Sequence, residues 1–109
     1  MTGTRDGDVD GVLVALADPT RRAVLDALAV SGPASATVLA AGLPVSRQAV
    51  VKHLVVLEAA GLVSGSRLGR EVRYQVRPAR LTATARWMDS LARDWDERLV
   101  AVKRLAEGG

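Results

Sequence analysis

A single change of period limits what this chain can become. From Val72 to Val76 apolar and polar residues alternate, with Val72, Tyr74 and Val76 set against Arg73 and Gln75 and Arg77 following. A period of two reads as a half-buried strand. Before Gly61, and again after Pro78, apolar residues recur every three or four positions, as in helices with one buried face. Leu62-Val63 opens a partner strand. Leu68-Gly69-Arg70-Glu71 supplies the turn, with Gly69 free to take a positive φ, and Pro78 closes the hairpin.

Four helices are expected ahead of the hairpin. Asp10-Gly11 leads into Val12, Leu13, Leu16 and Ala17. Asp18-Pro19 restarts the chain as N-cap and first helical residue, and the second helix shows Ala23, Val24, Ala27 and Leu28 on one face until Gly32-Pro33. Ser35 caps a short third helix that Gly42 stops, and Pro44 keeps Leu43 out of the helical conformation. Ser46 caps a fourth helix reaching about Ala60. Its apolar positions are Ala49, Val50, Leu54 and Leu57, and His53 beside them reads as a packing residue. After the hairpin, Ala79 to Ala106 forms one helix of about 40 Å. Along it Leu81, Ala85, Met88, Ala92, Trp95, Leu99, Val102 and Ala106 follow spacings of four and three, and Trp87, Leu91 and Leu105 widen the stripe. The fold class is mainly α with a small β-hairpin, five helices in the order ααααββα. Residues 1–8 are expected to be a disordered tail and residues 9–107 one domain.

Composition narrows the chemistry. A chain of 109 residues suits one core. It has no Cys, which excludes disulfides, zinc-thiolate sites and thiol catalysis, and its single His cannot make a two-histidine metal site. No Ser stands with a nearby His and Asp, and no Gly-rich phosphate loop is present, so no catalytic residues are expected. No apolar run approaches the roughly 18 residues of a membrane span. The acidic, Gly-rich opening is unlike a secretory signal, so a cytoplasmic location is expected. The formal net charge is +3, but residues 62–80 alone hold five Arg against one Glu. Such a local excess attracts polyanions.

Residues 35–41 and 46–60 read as two helices joined by a short Gly-containing turn, a helix–turn–helix. The N-terminal part of the second such helix enters a DNA major groove. Its outer face here offers Arg47, Gln48, Val51 and Lys52. Arg suits guanine, Gln suits adenine, and Val51 suits a thymine methyl. Lys52 suits backbone phosphate, as do Ser46 and the free N–H groups of the helix start. The hairpin that follows would be a wing, with Arg70 at its tip and Arg67 and Arg73 behind. The plain alternatives are a solvated helix face and a solvated charged hairpin. At the level of function, the alternative is a winged-helix module that binds another protein.

Three segments, ALADPTRRAVLDAL, LPVSRQAVVKHLVVLEAAGLV and GREVRYQV, resemble the ArsR family of winged-helix transcriptional repressors. The likeness covers about residues 12–105 and is most specific from Ser46 to Val63. It implies a homodimer on a palindromic operator of double-stranded DNA, closed by the first and last helices. That carries Leu13 and Leu16, and Trp87, Leu91, Trp95, Leu99 and Val102, to the dimer interface. It carries DNA contact to Ser46, Arg47, Gln48, Val51 and Lys52, and to Arg67, Gly69 and Arg70 of the wing. Two positions depart from the family pattern. Val51 stands where Ser is common. Ala36, Thr37 and Val38 stand where metal sensors of the family carry a Cys motif, and the last helix has Asp89, Asp94, Asp96 and Glu97 but no His. The resemblance therefore points to the metal-free branch with the LADPTRR opening, seen near genes for SRPBCC proteins. No cofactor and no sensory metal are expected, and the resemblance names no small-molecule effector.

The remaining residues have structural readings. The acidic residues of the last helix should make i,i+4 ion pairs with Arg93 and Arg98. Arg22 should pair with Asp26, with a phosphate contact by Arg21 or Arg22 as the alternative. Trp87 and Trp95 read as dimer anchors ahead of a ligand pocket. Tyr74 should pack the wing onto the helices.

Overall fold

The computed structural model describes residues 6–108. The chain folds as α1 (Asp6–Leu16), α2 (Pro19–Ser31), β1 (Ala34–Ser35), α3 (Ala36–Ala41), α4 (Arg47–Ala59), β2 (Val63–Leu68), β3 (Glu71–Val76) and α5 (Ala79–Gly108). Of the tail expected over 1–8, residues 1–5 lie outside the described residues, and Asp6, Gly7 and Asp8 form the first turn of α1. Asp10-Gly11 is therefore inside a helix and does not lead into one. Val9 and Val12 are both buried, three residues apart on one face. Their burial, worth about 1.5–3 kcal/mol each, outweighs the roughly 1 kcal/mol cost of Gly11 in a helix.

Asp18 caps α2 as expected, its carboxylate accepting from the backbone N–H of Thr20 (2.8 Å) and Arg21 (3.1 Å). The Arg21 bond above all holds the Asp18 carboxyl below its ordinary pKa, with smaller help from the Thr20 bond and the nearby His53 and Arg21 charges. Of the two arginines that follow, Arg22 departs from the expected pairing. Arg21 donates to the carbonyl of Ala15 at 3.1 Å, Arg22 donates to the carbonyl of Leu16, and no Arg22–Asp26 pair forms among the described residues. The tight α1–α2 corner sets these guanidinium groups against the last carbonyls of α1, which are unpaired acceptors at the negative end of a helix dipole. That site is better for a cation than an exposed carboxylate one turn away.

The buried face of α2 is Val24, Leu25 and Leu28; Ala23 points outward. Leu25 offers far more apolar area than Ala23, so the helix turns its larger side chain inward. Val50, Leu54 and Leu57 of α4 complete the centre of the core with Val12, Leu39 and Leu62. Ala49 is only half-buried.

The strands form an antiparallel sheet in the order β1-β3-β2. Leu68 pairs with Glu71, so Gly69 and Arg70 make the turn, and Gly69 takes φ +66°. The third strand, β1, was not expected. It pairs Ala34 with Tyr74 and Ser35 with Arg73, and two residues are too few to show a period. Ser35 then also caps α3, accepting from the N–H of Val38 at 3.2 Å. Tyr74 is half-buried and packs against the core, anchoring the wing.

Only Thr84 is buried in α5. Its hydroxyl donates to the carbonyl of Arg80 at 2.8 Å. From Ala85 to Gly108 every residue is exposed, and this 30-residue helix of about 45 Å runs well beyond the core. Where α5 leaves the body, Arg80 donates to the carbonyl of Ala60 (3.2 Å) and approaches Asp8 of α1 at 3.8 Å. Gly61, at φ +78°, lies directly beneath the Arg80 side chain.

Candidate nucleic-acid interface

Ser46 starts α4 by accepting from the N–H of Ala49 at 3.1 Å, which leaves the first turn exposed at Ser46, Arg47 and Gln48. The helix then presents three directions. Val50, Leu54 and Leu57 point into the core. Gln48, Lys52 and Val55 are exposed, at spacings of four and three, and form the outward stripe. Arg47 and Val51, also four apart, lie on the flank toward the wing, where they line a crevice of about 310 Å³ with Thr37, Arg70, Glu71 and Tyr74.

This arrangement corrects the reading of one residue and adds two contacts. Val51 is not on the exposed face. It is half-buried and packs against the core cluster, because the wing and α3 close over that side of α4. Arg47 donates from Nε to the Thr37 hydroxyl at 3.1 Å. Glu58, the penultimate residue of α4, accepts from the N–H of Gly65 in β2 at 3.0 Å and ties the wing to the helix. Neither Thr37 nor Glu58 stood out in the sequence. Both contacts join residues of different elements, and only the assembled register brings them together.

The wing carries its charge outward. Arg67, Gly69 and Arg70 are exposed. Arg73 is also exposed but approaches Glu71 at 3.6 Å, and Arg77 donates to the Ser64 hydroxyl at 2.8 Å. A side-chain ion pair in such an exposed setting is weak, so the guanidinium of Arg73 remains available to an anion. Arg47 and Lys52 on the helix and Arg67, Arg70 and Arg73 on the wing are all exposed, with Arg67 and Arg73 on opposite faces of the hairpin.

At the other end of the molecule lies the apolar face. Trp87, Leu91, Trp95, Leu99 and Val102 run along α5 with exposures rising from 36% to 61%, and Leu13 of α1 is also exposed. Leu16 is half-buried and packs largely against the chain's own core. Asp89 pairs with Arg93 as expected and raises the Arg93 pKa further, mainly through their hydrogen bond. Arg98 instead stacks over the ring of Trp95, 5.5 Å from its centroid. His53 is half-buried. Among the described residues no three His, Cys, Asp or Glu side chains gather into a metal-binding group, and no helix is long and apolar enough to cross a membrane.

Comparison with known proteins places this arrangement. A helix–turn–helix domain family matches residues 16–65. The chain is 42% identical over 93 residues to the HTH-type transcriptional regulator Rv2034 of Mycobacterium tuberculosis, spanning 85% of this chain and 83% of that protein. It is 31% identical over 80 residues to the transcriptional repressor SdpR of Bacillus subtilis, spanning 73% and 88% respectively. Its structure matches that of an ArsR-like transcriptional regulator from Rhodococcus sp. RHA1 with a TM-score of 0.84 at 44% identity, over 94% of this chain and 96% of that one. The chain belongs to the ArsR family of winged helix–turn–helix transcriptional regulators.

Proposed function

We propose that two copies of this chain pair through α1 and α5 and repress transcription from a palindromic operator, without a thiolate-bound sensory metal. The observation that carries the reading is the division of the molecule. One end exposes five cationic side chains on a helix–turn–helix and its wing, and the other exposes an apolar stripe about four turns long on a helix that leaves the core. An apolar stripe of that length on a single chain marks a partner surface. A twofold partner places the same stripe opposite itself and holds two reading heads a fixed distance apart.

In this reading the start of α4, with Ser46, Arg47, Gln48 and Lys52, enters one major groove while Val51 packs behind it, and Arg67, Gly69, Arg70 and Arg73 grip the flanking backbone. The second copy does the same about 34 Å away, and the bound dimer blocks polymerase. Leu13, Leu16, Trp87, Leu91, Trp95, Leu99 and Val102 form the dimer face. The chain has no Cys at all, and Ala36, Thr37 and Val38 offer no thiolate or imidazole, so soft-metal sensing has no ligands of the usual kind.

A footprint of the purified protein on the DNA upstream of its own gene tests the proposal. The expected result is a two-fold symmetric footprint bound by a dimer, with affinity that falls steeply with salt. A monomer in solution, or indifference to every duplex in dilute buffer, refutes it. Such indifference, combined with capture of another protein through α4, would favour an interaction module.

A further inference from the structure

The three directions of α4 assign its side chains to different parts of a duplex. We infer that Val55, together with Gln48, reads base edges, whereas Arg47, held by Thr37, clamps a backbone phosphate with Arg70, and Val51 serves the core. The inference rests on the DNA-binding reading above and refines it.

Geometry carries the assignment. A base edge at the floor of a major groove is reached only by side chains pointing straight out from a helix lying in it. Those residues are Gln48, Lys52 and Val55, and Val55 is the exposed apolar member of the stripe, at 56%. Val51 packs against the core cluster and lines the crevice that Tyr74 also lines. It is therefore the wrong valine to meet a thymine methyl, and Val55 is the right one.

Arg47 lies on the flank. Its Nε is occupied by the Thr37 hydroxyl, which fixes the plane of the guanidinium and leaves both terminal nitrogens free. That fork matches two oxygens of one phosphate. Arg70 lines the same crevice, and its acidic neighbour there, Glu71, pairs with Arg73. The crevice is therefore a cationic slot at the edge of the helix, where a DNA strand passes between recognition helix and wing. A phosphate contact there positions the protein without reading sequence.

The test uses the full chain and a duplex chosen by selection from a random library. Affinities are then measured on all single-base variants of that duplex and over a range of salt. Val55→Ala, at an exposed site, is expected to lose about fivefold discrimination at one base pair in each half-site. Val51→Ala should leave the preference unchanged. Arg47→Ala should weaken every duplex alike by about tenfold, and lower the salt slope by about one. Thr37→Val should weaken every duplex by about threefold, and Arg47→Lys should restore part of the affinity and the slope. Loss of discrimination in Val51→Ala but not in Val55→Ala overturns the assignment. So does Arg47→Ala relaxing one base pair with the salt slope intact. A wild-type chain that selects no sequence and binds no duplex overturns both this assignment and the regulator reading beneath it.

Discussion

Replacing Trp95 by alanine removes the largest exposed apolar side chain of the α5 stripe. A tryptophan can bury up to about 250 Å², and Trp95 is 52% exposed in the single chain. Roughly 130 Å² is thus available to a partner, worth about 3 kcal/mol at about 25 cal/mol per Å². In a twofold dimer the substitution acts on both copies, so the ceiling is about 6 kcal/mol for the pair. Half of that, allowing for area left at the rim and for the alanine itself, still raises the dimer Kd by more than about a hundredfold. Arg98 complicates the balance only slightly, because its contact with the indole is exposed and small. Sedimentation equilibrium of wild type and Trp95→Ala over a wide concentration range measures the effect. Val30→Ala is the control, since Val30 is 89% exposed but belongs to α2, away from the α5 stripe. A Trp95→Ala dimer as tight as wild type, or an equal weakening by Val30→Ala, refutes the assignment of this face.

Three further outcomes follow from the packing. Leu54 is fully buried at the centre of the core, so Leu54→Ala should cost about 2–5 kcal/mol of unfolding free energy in urea titrations. Asp18→Ala should destabilise the fold by uncapping α2. Because the folded pKa of Asp18 is depressed, the wild-type advantage is fully present above the ordinary carboxylate pKa and fades as pH falls through the folded value, which thermal melts from neutral to acid pH will show. Gly61→Ala forces a side chain into φ +78° and puts its Cβ 2.5 Å from Arg80 Cδ. It should destabilise by more than about 1 kcal/mol, and adding Arg80→Ala should relieve the steric part, leaving the backbone part in a double-mutant cycle.

The helices, their caps and the hairpin were legible because each is written locally. Asp18, Ser35 and Ser46 cap α2, α3 and α4 as their side chains suggest, and Gly69 takes the positive φ that the turn requires. What escaped was settled by distant partners. The sequence alone favours a start after Gly11, but Val9 reaches the core and extends α1 back to Asp6. Arg22 has an acidic residue at the right spacing, yet the carbonyl end of α1 lies closer. β1 exists only because Tyr74 and Arg73 lie alongside it.

The candidate site divides in the same way. Residue types and their order already placed Gln48 and Lys52 on a wet helix face and Arg67 and Arg70 on a wing. Both faces are exposed, and a period is enough to find an exposed face. The flanks of α4 could not be read so, because a flank is defined by what packs beside it. Arg47 and Val51 sit next to Gln48 and Lys52 in the helical wheel, and the choice between groove and crevice depends on where the hairpin folds back. Glu58 fixes that position by accepting from Gly65, and Tyr74 by packing against the core between the wing and α4. Gly65 and Tyr74 stand opposite each other in the hairpin, so both contacts hold its base against α4 and set where the crevice lies, while Arg70 at the tip stays exposed.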